Sequence, residues 1–129
     1  MIFYVYNPEF DEAVFHSLQM EKCSRACFPS EQSIVYLFEE KEETLGYMWM
    51  EVNADHVALV DFFFKGSEVK KRGLYDFIVK LAKKQSKSFL LMRIPEFMNE
   101  DIREKWGGKI RERDGKDLLI EIPFQKRNK

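Results

Sequence analysis

What this chain has little of excludes a good deal. Among its 129 residues no apolar run approaches the roughly 20 needed for a membrane-crossing helix, so no membrane span is expected. Its opening, MIFYVYNPEFDE, has neither a basic leader nor a small-residue cleavage site, and no signal peptide is expected. Two cysteines cannot build a disulfide scaffold, which points to a reducing, cytoplasmic setting. There is no Ser/His/Asp triad, Walker loop or HExxH motif, no repeat and no low-complexity tract. What is present is a 45% hydrophobic composition, enough for one domain with a real core. That domain is expected over residues 1–124, with a basic tail at 125–129.

Charge is short in one sign over each half. Residues 1–64 hold twelve acids and only three bases, which leaves ten acids and eighteen bases in residues 65–129. A segment of −9 therefore accompanies one of +8, although the whole chain carries −1. The split suits two unlike ligands, one anionic and one cationic, and equally suits two solvated faces that attract each other.

Periodicity predicts the order strand, helix, three strands, helix, strand, helix, two strands. Ile2–Tyr6 reads as a strand. Asn7-Pro8-Glu9 supplies an N-cap, a first-turn proline and early acid for a helix running through Phe10, Val14 and Leu18 towards Cys23. Ile34–Glu39 and Leu45–Val52 form a hairpin about the acidic turn Glu40–Thr44. Val57–Phe64 reads as a buried strand and Leu74–Gln85 as an amphipathic helix. Phe89–Ile94 is a strand stopped by Pro95, and Asn99 caps a short helix ending at Gly107-Gly108. Lys109–Arg113 and Leu118–Phe124 close a last hairpin about Asp114-Gly115. This order implies an α/β or α+β domain with a mixed sheet.

The most informative stretch is Val57–Gln85, VALVDFFFKGSEVKKRGLYDFIVKLAKKQ. An apolar strand leads through a basic, glycine-containing turn, KKRG, into a helix. First-turn amides at a helix start are unpaired, and the helix dipole favours negative charge there. An anionic ligand is the expectation.

With FLLMRIP and NEDIREKWGGKI following, the chain resembles the GCN5-related N-acetyltransferase family. The family's turn [Gln/Arg]-x-x-Gly-x-[Gly/Ala] is similar to Lys70-Lys71-Arg72-Gly73-Leu74-Tyr75, with Lys70 for Gln or Arg, Gly73 kept, and Tyr75 where a small residue stands. The resemblance implies a mixed, mostly antiparallel sheet flanked by helices. It also implies acetyl-CoA as co-substrate, with its pyrophosphate on the turn's amides, and direct transfer of the acetyl group to an amine. Backbone amides of the central strand, at Phe63 and Phe64, would polarise the thioester carbonyl. Asn99 stands near an asparagine that often contacts CoA. Arg103 falls where a tyrosine often protonates the leaving thiolate; a guanidinium cannot donate that proton near neutral pH, but can hold a phosphate or stabilise the thiolate. Tyr75 brings a large side chain to the place of close phosphate approach. Asp61, the one charge in the apolar run, is the candidate base, and Glu51 on the preceding strand is the reserve. The structural alternative for Asp61 is an exposed strand position or a pairing with a nearby lysine. The family also includes reduced members, small phage-encoded ones among them, so a catalytically silent binding or structural module is the alternative reading.

Other constellations point less far. His16, Cys23 and Cys27 are spaced to share one helix face, yet three ligands on one helix seldom close a zinc site. Buried thiols and a satisfied histidine are the simpler reading. Lys80, Lys83, Lys84 and Lys87 form a stripe opposite Leu74, Phe77, Ile78 and Leu81, either a solvated face or a track for a nucleic-acid backbone. A spare strand edge or the C-terminal hairpin offers a route to a homodimer.

Overall fold

The structure, a computed structural model, describes residues 1–23 and 27–124. Its elements are β1 (Ile2–Val5), α1 (Pro8–Cys23), β2 (Ser33–Glu40), β3 (Glu43–Val52), β4 (His56–Phe64), α2 (Glu68–Lys83), β5 (Phe89–Pro95), a 3-10 turn (Glu96–Met98), α3 (Asn99–Trp106), β6 (Lys109–Asp114) and β7 (Asp117–Pro123). The strands form one seven-stranded sheet in the order β1-β2-β3-β4-β5-β7-β6. Every neighbouring pair is antiparallel except β4 and β5. The mixed, mostly antiparallel sheet expected from the sequence is the observed one. No helix among the described residues is long and apolar enough to cross a membrane.

Alternation along the strands sends side chains to two separate cores. On one face Phe15 and Leu18 of α1 close over Val35, Leu37, Tyr47 and Trp49. On the other, Leu74, Tyr75, Ile78, Val79 and Ala82 of α2 close over Phe38, Met48, Met50 and Leu90. Each fully buried large apolar side chain is worth about 1.5–3 kcal/mol, so both helices are fixed chiefly by these stripes. Asn7 starts α1 as expected, its Oδ1 accepting from the Glu9 amide at 2.9 Å. The β2–β3 hairpin turns at Lys41 and Glu42, both with positive φ (52° and 66°), the primed geometry that matches strand twist. Gly107, at φ 74°, ends α3, its N–H donating to the Arg103 carbonyl at 2.8 Å.

Two helix starts differ from expectation. The helix expected from Leu74 begins at Glu68, because Ser67 caps it by accepting the Lys70 amide at 3.3 Å. Asn99 does not cap α3: Met98 holds the N-cap position, and Asn99 is the first helical residue with no capping hydrogen bond. The shared helix face for His16, Cys23 and Cys27 also fails. The helix ends at Cys23, whose side chain lies outside the described residues, and Cys27 follows beyond it, its amide donating to Gln19 Oε1 at 3.0 Å. No metal-binding cluster occurs among the described residues.

Candidate functional site

The sheet is open near its middle. β4 and β5 pair only through His56–Ala58 and Phe89–Leu91, although β4 runs on to Phe64 and β5 to Pro95. A bulge loosens β4 just past the last pair: Met50 faces Leu59, Trp49 faces Asp61, and Val60 is the extra residue between them. From Leu59 to Phe64 the β5 side of β4 has no strand partner, so its alternate N–H and C=O groups are unclaimed by the sheet there. A cavity of about 470 Å³ lies at the gap, lined by Val60, Asp61 and Phe62 of β4, Arg93 of β5, Lys22 of α1 and Lys71 of α2. Because α1 and α2 cover opposite faces, this cavity joins the two sides of the sheet.

A second cavity, about 480 Å³, runs between α2 and α3 and is lined by Arg72, Gly73, Asp76, Met98, Asp101 and Ile102 among others. The KKRG segment is therefore not a loop. Lys70 to Gly73 are helical, and Gly73 is the sixth residue of α2. Its missing side chain bares the groove wall: a Cβ there would meet nothing within 4 Å. Two ion pairs span this groove. Arg72 lies 3.6 Å from Asp101, and Lys105 lies 2.7 Å from Asp76; the Arg72 guanidinium also sits 5.7 Å from the Phe97 ring centroid.

The expected cofactor residues part company in space. Arg72 and Gly73 reach the α2–α3 groove and Lys71 reaches the central gap. Lys70 instead pairs with Glu40, and that hydrogen bond holds the Glu40 carboxyl below its ordinary value. Leu74, Tyr75 and Phe64 belong to the α2-side core and Phe63 packs on the α1 side. Tyr75 does not reach the groove as the sequence suggested. It is 4% exposed, with its ring edge-on to Phe62 at 5.1 Å, and burial first, then Asp117 and Glu68, pushes its hydroxyl up to about 12. Arg103 gives its Nε–H to the Gly108 carbonyl at 3.0 Å and lines a separate shallow cavity beside Glu100 and Glu104. Asn99, next to the groove-lining Met98, keeps Oδ1 buried without a hydrogen-bond partner among the described residues. A buried acceptor of this kind awaits a donor.

Both candidate bases lie on the α1 side of the sheet and are engaged. Asp61 Oδ2 accepts from the Tyr47 hydroxyl at 2.5 Å, and Oδ1 is paired with Lys22. The lysine pairing left open as the alternative for Asp61 is thus the arrangement found. Glu51 accepts from Trp49 Nε1 at 2.5 Å and from Ser33 Oγ, further from the gap. Sequence reading missed Lys22, Tyr47, Asp76 and Asp101. Lys22 and Asp61 are 39 positions apart, and only the packing of α1 against β4 joins them. Of the lysine stripe, Lys80, Lys83 and Lys84 are exposed, while Lys87 donates to the Ala54 carbonyl at 3.3 Å.

No protein-family model matches the sequence, and no curated protein does either. Solved structures match closely in shape. An aminoglycoside 6′-N-acetyltransferase from Enterococcus faecium superposes over 100% of both chains with a TM-score of 0.73 at 10% identity. The ribosomal-protein-S18-alanine N-acetyltransferase from Escherichia coli covers 98% of this chain and 96% of its own, with a TM-score of 0.69 at 12% identity. An aminoglycoside 6′-N-acetyltransferase complexed with coenzyme A covers 100% of both chains, with a TM-score of 0.69 at 10% identity.

Proposed function

From the GCN5-related N-acetyltransferase fold of this chain, we propose that it is an acyl-CoA-dependent N-acyltransferase, moving an acetyl group directly from acetyl-CoA to an amine. The observation that carries this is the parting of β4 and β5 after three residue pairs, which opens a passage between the two faces of the sheet. Ligands of open α/β sheets bind outside the carboxyl ends of parallel strands, and here α2 and α3 both begin just beyond those ends.

The residues present fit the co-substrate. The bare edge of β4 at Phe63 and Phe64 can pair with an extended amide-bearing chain, as a strand would. Asn99 Oδ1, buried with no partner among the described residues, is an acceptor that a ligand N–H reaching it would satisfy. Gly73 leaves the α2–α3 groove open, and Arg72, Lys71 and the first amides of α2 supply positive potential for phosphate. Acetyl-CoA supplies the activated acyl group. The chain's own work is to align it against the amine, to polarise the carbonyl through strand amides, and to take the amine's proton on Asp61, with Glu51 in reserve. Lys70 acts at most through charge, since it is already paired with Glu40, while Arg103 spends its Nε–H on the Gly108 carbonyl and keeps its terminal amino groups for an anion.

The test is release of CoA thiol from acetyl-CoA over a panel of amines: polyamines, aminoglycosides and peptides with a free N-terminus. Turnover above hydrolysis, with Asp61→Asn lowering kcat on the order of a hundredfold, is the expected result. No release with any amine, despite bound acetyl-CoA, would favour a second reading, a silent acyl-CoA-binding module. The two ion pairs across the groove, Arg72–Asp101 and Lys105–Asp76, support that second reading, because they use the groove's cations internally.

A further inference from the structure

The amine nearest the candidate base is the protein's own. Lys22, in the last turn of α1, reaches the central gap and pairs with Asp61 Oδ1, while Tyr47 holds Oδ2 at 2.5 Å. The Asp61 side chain is only 16% exposed and that of Lys22 37%, so the pair is set into the passage rather than waving in solvent. Lys71 lines the same gap from the α2 side, but no carboxylate pairs with it among the described residues. The other lysines with acidic partners, Lys65 on Glu21, Lys70 on Glu40 and Lys105 on Asp76, lie outside the gap.

We propose that Lys22 is an acyl acceptor in its own right, modified in cis by an acyl-CoA that enters the gap from the α2 side. The proposal rests on the acyltransferase reading above. A lysine ammonium is charged at neutral pH and is no nucleophile until it loses a proton. Asp61 Oδ1 takes that proton, and the Nζ lone pair forms the C–N bond at the thioester carbonyl carbon. The C–S bond then breaks, the thiolate leaves with the second proton that the nitrogen gives up on becoming an amide, and Asp61 passes the first to solvent. The products are Nζ-acetyl-Lys22, free CoA thiol and one proton released to solvent. The amide carries no charge, so the Lys22–Asp61 ion pair is lost and Oδ1 becomes free to receive an outside ammonium. Self-acylation would thereby prime Asp61 for a second amine.

The full chain incubated with acetyl-CoA near neutral pH, followed by intact mass and peptide mapping, tests this. The expected result is one acetyl group, on Lys22, added at a rate independent of protein concentration and at least about tenfold faster than on any other lysine. The acetyl group is absent in Lys22→Arg, slowed on the order of a hundredfold in Asp61→Asn, and no longer selective when the chain is unfolded in urea. Comparable modification of many surface lysines, or an unmodified Lys22, would overturn the proposal. The same samples are assayed for acetyl-CoA binding and for thiol release with free amines. Turnover of free amines with Lys22 unmodified sinks self-acylation alone, whereas no binding and no turnover sinks both readings.

Discussion

Tyr47 donates its phenolic hydrogen to Asp61 across adjacent strands, 2.5 Å from Oη to Oδ2, from a ring with no exposed surface. With Lys22 on the other oxygen, the carboxylate is held from two sides. Tyr47→Phe removes one of them and leaves a largely buried acceptor short of a donor, a loss of about 1–3 kcal/mol. Urea denaturation should show a lower midpoint with an unchanged slope. On the proposed acyltransferase reading the same variant should lower kcat more than it raises KM for acetyl-CoA, since Tyr47 holds the proposed base and does not line the α2–α3 groove.

Gly73 gives the opposite sign. It sits inside α2 with ordinary helical neighbours and open space where a Cβ would go. Gly73→Ala should therefore stabilise the protein by about 0.5–1 kcal/mol, through helix propensity and a less free unfolded chain. A loss of stability would mean that the segment is not helical.

Gly46 is required for a different reason. A Cβ on it would overlap the Phe63 carbonyl oxygen and stand 2.8 Å from the Phe64 Cα, both backbone atoms that cannot swing away. Gly46→Ala should cost more than about 3 kcal/mol by forcing β3 from β4. Thermal melting should show it, and the central gap should lose its shape with it.

Tyr75 sets an alkaline limit. Burial pushes its hydroxyl up to about 12 in the fold, against the ordinary tyrosine value of 10.0. Between those values the unfolded chain has released a proton that the folded chain still holds, so stability falls as pH rises through that window. The contribution, about 2–3 kcal/mol, is complete below pH 10.0 and lost above about pH 12. Stability curves for wild type and Tyr75→Phe should diverge across this window, the variant losing less.

Most of the fold could be read from local patterns. The apolar runs of β3 and β4, the Asn7-Pro8 start of α1 and the Gly107 stop of α3 are governed by neighbours a few residues away, and they came out as expected. The start of α2 did not. A glycine among lysines looks like a turn, yet Ser67 is the stronger cap, and the buried stripe Leu74, Tyr75, Ile78, Val79, Ala82 pulls the whole segment into helix. The same stripe explains Tyr75, which a linear motif places at the ligand and packing turns inward. The candidate site was legible only in part. Arg72, Gly73 and Asp61 were in view because each stands out in its own segment. Lys22, Tyr47 and the ion pairs across the α2–α3 groove depend on contacts between residues 14 to 39 positions apart, which no local pattern records.

Binding of acetyl-CoA tests the central claim most directly. Titration calorimetry of the full chain should show one saturable site, with Gly73→Trp, which fills the α2–α3 groove from an exposed helical position, folding normally and losing that binding. No heat at millimolar acetyl-CoA, or binding undiminished in Gly73→Trp, would contradict the account.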